Sequence, residues 1–198
     1  MQSKERVLRA VEHRETDRVP VTIYLTPEMH RMLTDYFHGE EVNQVLDIDF
    51  RNVVPQYMKP PEPIAPARGI HSYDIWGIPY RRVEHGSRGA YNETADFVLK
   101  KLATMNDVNE YPWPLPDDFD FSGIAGQAES FRDYAVIFGS AGIPDIINGV
   151  GRGRTMEQVL VDIALEDEVG MAIIDKRVDF YYEYCRRGLE AGKGRIDI

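Results

Sequence analysis

The sequence predicts an α/β protein organised around parallel strands, and three observations carry that expectation. Ala135, Val136, Ile137 and Phe138 form a short apolar run without polar alternation, as suits a strand buried on both faces of a parallel sheet. The run leads through a glycine-rich loop into an amphipathic helix capped by Thr155, with Met156, Val159, Leu160, Ile163 and Ala164 spaced as one buried helical face. A long helix then runs from Asp167 to about Ala191, and Arg195, Ile196, Asp197 and Ile198 read as a further strand, completing the βαβ order that parallel pairing requires.

The preceding elements follow in order. Ser3 is positioned to cap a helix over residues 4–14, whose Val7, Leu8, Ala10 and Val11 form an apolar stripe. Residues 21–25 are β-rich and entered by Pro20, which predicts a strand. Thr26 caps the next helix with Pro27 at its first position, and Gly39 ends it beyond Met29, Met32, Leu33 and Tyr36. A short helix over 40–46 precedes a strand within residues 47–55. Residues 59–69 are too proline-rich for anything but an extended excursion. Residues 74–83 and 97–99 suggest a small antiparallel addition, turned at Gly86 to Gly89. Thr104 and Asp107 have capping-box spacing before a short helix that stops at Tyr111 and Pro112. An acidic, aromatic loop spans residues 117–121. Ser122 opens a helix burying Ile124, Ala125, Ala128 and Phe131. The long helix should bury Met171, Ile174, Val178, Tyr181, Tyr182, Cys185 and Leu189, and Gly192 and Gly194 end it.

With 198 residues, 43% hydrophobic and 28% charged, the chain has the composition of a globular domain. It contains no run of about 18 apolar residues that would span a membrane, and its charged N-terminus lacks a secretory core, so the expected location is cytoplasmic. The net charge of −10, with scattered basic residues, argues against nucleic acid as a partner. Cys185 is the sole cysteine, so neither an intrachain disulfide nor a thiolate cluster can form, and on an apolar helix stripe it should be inert. His13, His30, His38, His71 and His85 lack metal-ligand spacing and read as surface residues, while Trp76 and Trp113 read as core packing.

Two groups of residues are candidate sites. Asp49 and Arg51 either face a pocket, as an acid that protonates or orients substrate and a guanidinium that grips a carboxylate, or make a structural ion pair at a strand end. The loop after residue 138 holds Ser140, Asp145, Asn148, Arg152 and Arg154, where α/β folds place substrate- and anion-binding groups. Gly149, Gly151 and Gly153 with the two arginines either form an anion nest at a helix N-terminus, or Arg154 simply pairs with Glu157 or Glu166.

Five ordered pieces carry a family resemblance: residues 3–8 through Val21, residues 47–51 (DIDFR), residues 73–77 (YDIWG), Asp107 through residues 111–114 (YPWP), and Gly153 and Arg154 through Asp162. In these the sequence resembles the N-terminal part of the uroporphyrinogen decarboxylase superfamily, and more closely its cobalamin-dependent methyltransferase-like branch than its porphyrinogen decarboxylases. The resemblance implies a TIM-type (β/α)8 barrel with an N-terminal helical and β extension. Residues 1–133 would supply the extension and first barrel elements, and residues 134–198 the central βαβ unit of a single domain that breaks off after Ile198. The implied reaction is methyl transfer between a corrinoid and a thiol or small methylated substrate. The alternatives are decarboxylation of uroporphyrinogen, a carboxy-lyase reaction, and a non-catalytic fragment that needs a separate C-terminal half. The decarboxylases carry an arginine-rich motif soon after the first strand, whereas this chain has no arginine between Arg18 and Arg31. They also carry a tyrosine where this chain is near Asn148. Zinc and corrinoid would belong to the complete enzyme, with the zinc ligands beyond Ile198 and no metal or cofactor held by this chain alone. The implied partners are a small-molecule substrate, a corrinoid protein, the missing half, and other copies of the chain through exposed strand edges.

Overall fold

Local signals account for most element boundaries in the computed structural model, which describes residues 1–59, 69–84, 86, 89–139 and 144–198. In chain order the elements are α1 (Ser3–Val11), α2 (Pro27–Tyr36), α3 (Val42–Val45), β1 (Phe50–Val53), β2 (Gln56–Tyr57), β3 (Ser72–Tyr73), β4 (Pro79–Glu84), β5 (Ala90–Thr94), α4 (Met105–Glu110), β6 (Phe119–Asp120), α5 (Ile124–Ser130), β7 (Ala135–Phe138), α6 (Ile147–Arg154), α7 (Met156–Leu165) and α8 (Glu168–Gly192). The predicted mixture of helix and strand is observed, and among the described residues no closed barrel is found.

The caps follow side-chain chemistry. Thr26 accepts from the Met29 amide at 3.2 Å with Pro27 at N1. At the other end of α2 the His38 amide donates to Asp35 and the Gly39 amide to Thr34, at 3.1 and 2.8 Å, with His38 rather than Gly39 as the first left-handed residue, at φ 56°. Thr104 and Asp107 form the expected reciprocal capping box. Asp167 accepts from the Gly170 amide at 2.8 Å as α8 begins. Ser3, by contrast, is already helical and Gln2 precedes it without a side-chain cap.

Four predicted elements differ. Residues 21–25 form no strand: Val21 exchanges bonds with Asp49, but a cavity lies between residues 22–25 and Phe50, Asn52 and Ile137, so their β-propensity meets no partner ladder. Residues 97–99 belong to a 3-10 turn at Val98–Lys101, and the strand that pairs with β4 is Ala90–Thr94. Residues 149–154 are helical rather than loop. Residues 195–198 hydrogen-bond to β7 without forming a regular strand.

The residues fall into two compact units. One comprises Met1–Gln56, Phe121–Ser140 and Arg186–Ile198, and the other Tyr57–Asp120 and Ala141–Cys185. In the first, β1 and β7 pair in parallel, with Phe50 opposite Ala135 and Val53 opposite Phe138. The Ala135 amide donates to Asp49, while Val136 engages Asp197 through both its amide and its carbonyl. Successive residues of β7 therefore face opposite edges, with β1 on one and residues 197–198 on the other. The core gathers Val53, Ile124, Ala128 and Val136 with Phe121, Phe131 and Phe138 around them. Of the α1 stripe, Val7 is buried and Val11 exposed, and α2 buries none of its residues.

In the second unit β3, β4 and β5 form an antiparallel sheet. Leu99, Val108, Val150, Val159, Ile173 and Ile174 make one core cluster, and Trp76, Ile78 and Phe180 another. The Trp76 ring meets Phe180 and Trp113 edge-on at 5.0 and 6.3 Å, the packing role expected of the tryptophans. The buried face of α8 in this unit is Ile173, Ile174, Arg177 and Phe180, whereas Val178 and Tyr182 are exposed. That helix carries aromatic residues on several sides, and the Trp76 cluster selects which of them turn inward.

Candidate functional site

Asp49 enters β1 through a backbone reversal at Asp47, whose φ is 50°, and becomes fully buried. Its carboxylate accepts from Arg6 Nη1 at 2.6 Å, from Arg18 Nη1 and Nη2 at 2.7 and 3.1 Å, and from the Val21 amide at 2.8 Å. Burial pushes its pKa up, but the Val21 amide and the guanidiniums outweigh it, and the net shift is downward. Arg6, hydrogen-bonded to Asp17 and to Asp49, is raised further above its usual range. Asp49 is thus an ionised hub tying α1 and residues 17–21 to β1, with its oxygens engaged. Arg51 makes no pair with it. The Arg51 guanidinium lies 3.7 Å over the Tyr134 ring, Nη1 donates to the Ile48 and Phe50 carbonyls, and Glu41 stands 3.8 Å away. The ion-pair reading of these two residues is therefore replaced by two separate anchors, because Arg6, Arg18 and the Val21 amide occupy the Asp49 oxygens while Tyr134 and the Ile48 and Phe50 carbonyls hold Arg51. One face of β1 and β7 opens into a cavity of about 190 Å³ lined by Thr22, Tyr24, Asn43, Arg51, Asn52 and Ile137. Asn52 was not singled out by the sequence, although it stands two residues from Phe50, on the same strand face.

The second candidate group divides. Ser140 lies outside the described residues. Asp145 accepts from Arg152 Nη2 at 2.8 Å, and Asn148 and Arg152 line a cavity of the second unit. Arg154 points away from it: buried, it donates from Nε to Asp162 at 2.5 Å and from Nη1 to the Leu99 and Leu102 carbonyls. Its partner is thus Asp162 on α7, not Glu157 or Glu166. Burial raises the Asp162 pKa, yet Arg154 and Gln158 bring it below the usual value.

Gly151 and Gly153 sit inside α6 with their amides in the helical ladder, while Gly149 lies in its first turn, so the three glycines do not line one anion nest. They permit close packing instead. A Cβ on Gly149 would lie 2.2 Å from the Arg177 guanidinium, and one on Gly153 would lie 2.7 Å from Leu99. The left-handed reversal falls on Thr155, at φ 71°, which then caps α7.

Two further residues, Arg177 and Asp74, have no site role in the sequence reading, although Asp74 stands in the YDIWG piece. Arg177 Nε donates to the Asp145 carbonyl at 2.9 Å and its guanidinium lies 4.2 Å over Trp76, while its buried Nη1 has no partner among the described residues. Burial lowers its pKa. Asp74 accepts from the Trp76 and Ile78 amides and from the Tyr80 hydroxyl, and burial raises it despite these bonds. Tyr80 is pushed up to about 12 by burial and by Asp74. The turn DIWG around Asp74 carries an Asx-turn signal, but nothing local marks an arginine on an apolar helix face.

Among the described residues no three His, Cys, Asp or Glu side chains are placed to hold a metal ion, so these side chains do not fit a zinc site. His13, His30, His38 and His71 are exposed as expected, and His85 lies outside the described residues. Cys185 is half-buried, which raises its thiol pKa and keeps it protonated. No described helix is long and apolar enough to cross a membrane. Comparison with protein-family models, curated proteins and solved structures returns no match for this chain.

Proposed function

We propose that the chain belongs to an enzyme of the uroporphyrinogen decarboxylase superfamily, with β1 and β7 as neighbouring strands of a TIM-type barrel and methyl transfer from a corrinoid as the reaction. The observation that supports this reading is the parallel β1–β7 ladder, flanked by residues 197–198, because β7 and those residues are joined through the helices α6 to α8, the strand–helix–strand order from which such enzymes are built. The first candidate cavity fits the reading. It lies beside these strands and is lined by Thr22, Tyr24, Asn43 and Asn52, polar residues that can orient a substrate, together with the charged Arg51. Asp49, with its oxygens occupied, holds the strand entrance in place rather than exchanging protons. The reading assigns zinc and the corrinoid to groups outside the described side chains.

The test is an assay of the protein purified together with its cellular partners and supplied with methylcobalamin, zinc and a thiol. The expected outcome is loss of the methylcobalamin absorbance with methylation of the thiol, reduced by Asn52→Ala. Formation of coproporphyrinogen from uroporphyrinogen would assign the decarboxylase reaction instead, and neither activity would end the superfamily reading.

A further inference from the structure

In the second unit, a cavity of about 540 Å³ opens between the β4–β5 hairpin and the helices α6 and α7. Its volume is within the range of small-molecule sites, roughly 300–1,000 Å³. Arg81 on β4 and Arg152 on α6 both contribute guanidiniums, Thr94 and Asn148 contribute a hydroxyl and an amide, and Phe97 and Met156 supply apolar wall. Phe97 and Met156 remain 40% and 37% exposed, so apolar surface is available to an occupant. A Cβ on Gly151 would come within 3.0 Å of the Met156 terminal methyl, so the missing side chain leaves that wall bare.

The polar groups are only partly used. Arg81 directs Nε and Nη2 at one oxygen of Glu93, at 2.8 and 2.6 Å, and Arg152 spends Nη2 on Asp145. Each guanidinium has five N–H donors, and those left over find no partner among the described residues. Both guanidiniums are exposed, Arg81 and Arg152 at 56% and 52%; the Arg81–Glu93 pair, exposed on both sides, is weak enough for a ligand anion to displace, whereas Asp145 is 18% exposed and leaves Arg152 to be shared. The charged lining residues are Arg81, Arg152 and Glu93, and with Asp145 held on Arg152 the charges balance, so an incoming anion competes with these two carboxylates for the guanidiniums.

From this geometry we propose that the cavity binds a small organic carboxylate, its acid group received by Arg81 and Arg152 and its apolar body laid against Phe97 and Met156. A planar carboxylate matches the guanidinium fork, and the apolar wall favours a hydrocarbon-bearing acid over a bare inorganic anion. The proposal is independent of the barrel reading, since all its residues lie in the second unit.

The experiment is a titration of the full chain, labelled with nitrogen-15, with 4-phenylbutyrate, its neutral amide and inorganic phosphate, each into the millimolar range. The acid should shift the backbone amides of Thr94, Asn148 and Gly151 saturably, and Arg152→Gln should weaken binding about tenfold or more, as loss of a charge-assisted bond does. Arg81→Gln gives a second reading on the opposite wall should Arg152→Gln fail to fold. Absence of these shifts, equal binding of the amide, binding of phosphate as tight as that of the acid, or indifference to both substitutions would each overturn the proposal.

Discussion

Replacing Asp162 by Asn tests the buried centre of the second unit most directly. Asp162 is 1% and Arg154 6% exposed, and the carboxylate takes two of the guanidinium's bonds, at 2.5 and 3.4 Å. Asn keeps the shape but removes the charge, leaving the guanidinium buried against the Leu99 and Leu102 carbonyls and an amide, with only the half-exposed Asp167 carboxylate 3.9 Å away. Breaking such a pair from one side costs about 3–5 kcal/mol, a large share of the roughly 5–15 kcal/mol that holds a folded domain. Arg154→Met should cost a similar amount by stranding the carboxylate. The double variant should lose much less than the sum, because neither charge remains to be stranded. Urea unfolding followed by circular dichroism at neutral pH measures all three. The Asp162 pKa is lowered in the fold, so its stabilisation is complete above the unfolded value of 3.8 and is lost as pH falls below that value through the folded one. The Asp162→Asn penalty should therefore shrink on acidification. Single-variant losses below about 1 kcal/mol, or strict additivity in the double variant, would refute the reasoning.

Gly149→Ala should destabilise by about 1–3 kcal/mol, because the new methyl meets the Arg177 guanidinium at 2.2 Å, whereas a helical glycine with free space would be stabilised by alanine. Thermal melting gives the sign, and a change in tryptophan emission would report displacement of Arg177 from the Trp76 face. In the first unit Val19, Tyr24, Met32 and Tyr36 are 79%, 59%, 62% and 74% exposed, so the isolated chain should self-associate as concentration rises despite its charge of −10. Sedimentation that stays monomeric at high concentration would contradict this.

What the sequence by itself determined was whatever depends on neighbours along the chain. Thr26 with Pro27, and Thr104 with Asp107, begin their helices as read, since a cap needs only a side-chain oxygen three residues from an amide. The apolar run at β7 is a strand for a similar reason, and its parallel pairing with β1 agrees with its lack of alternation. Tertiary structure decided the rest. The β-rich residues 21–25 have no partner ladder, and strand formation needs one. The glycines at 149–153, open in the sequence to an anion-nest reading, serve the approach of Arg177 and Leu99, partners 28 and 54 positions away by subtraction of residue numbers. Of the candidate site residues, Asn148 and Arg152 came together with Arg81 only through the packing of α6 against a hairpin remote in sequence, while Asp49 found Arg6 and Arg18 instead of Arg51. A charged group takes whichever opposite charge and N–H donors the fold brings within about 3 Å, and no spacing along the chain encodes that choice when the partners come from separate elements.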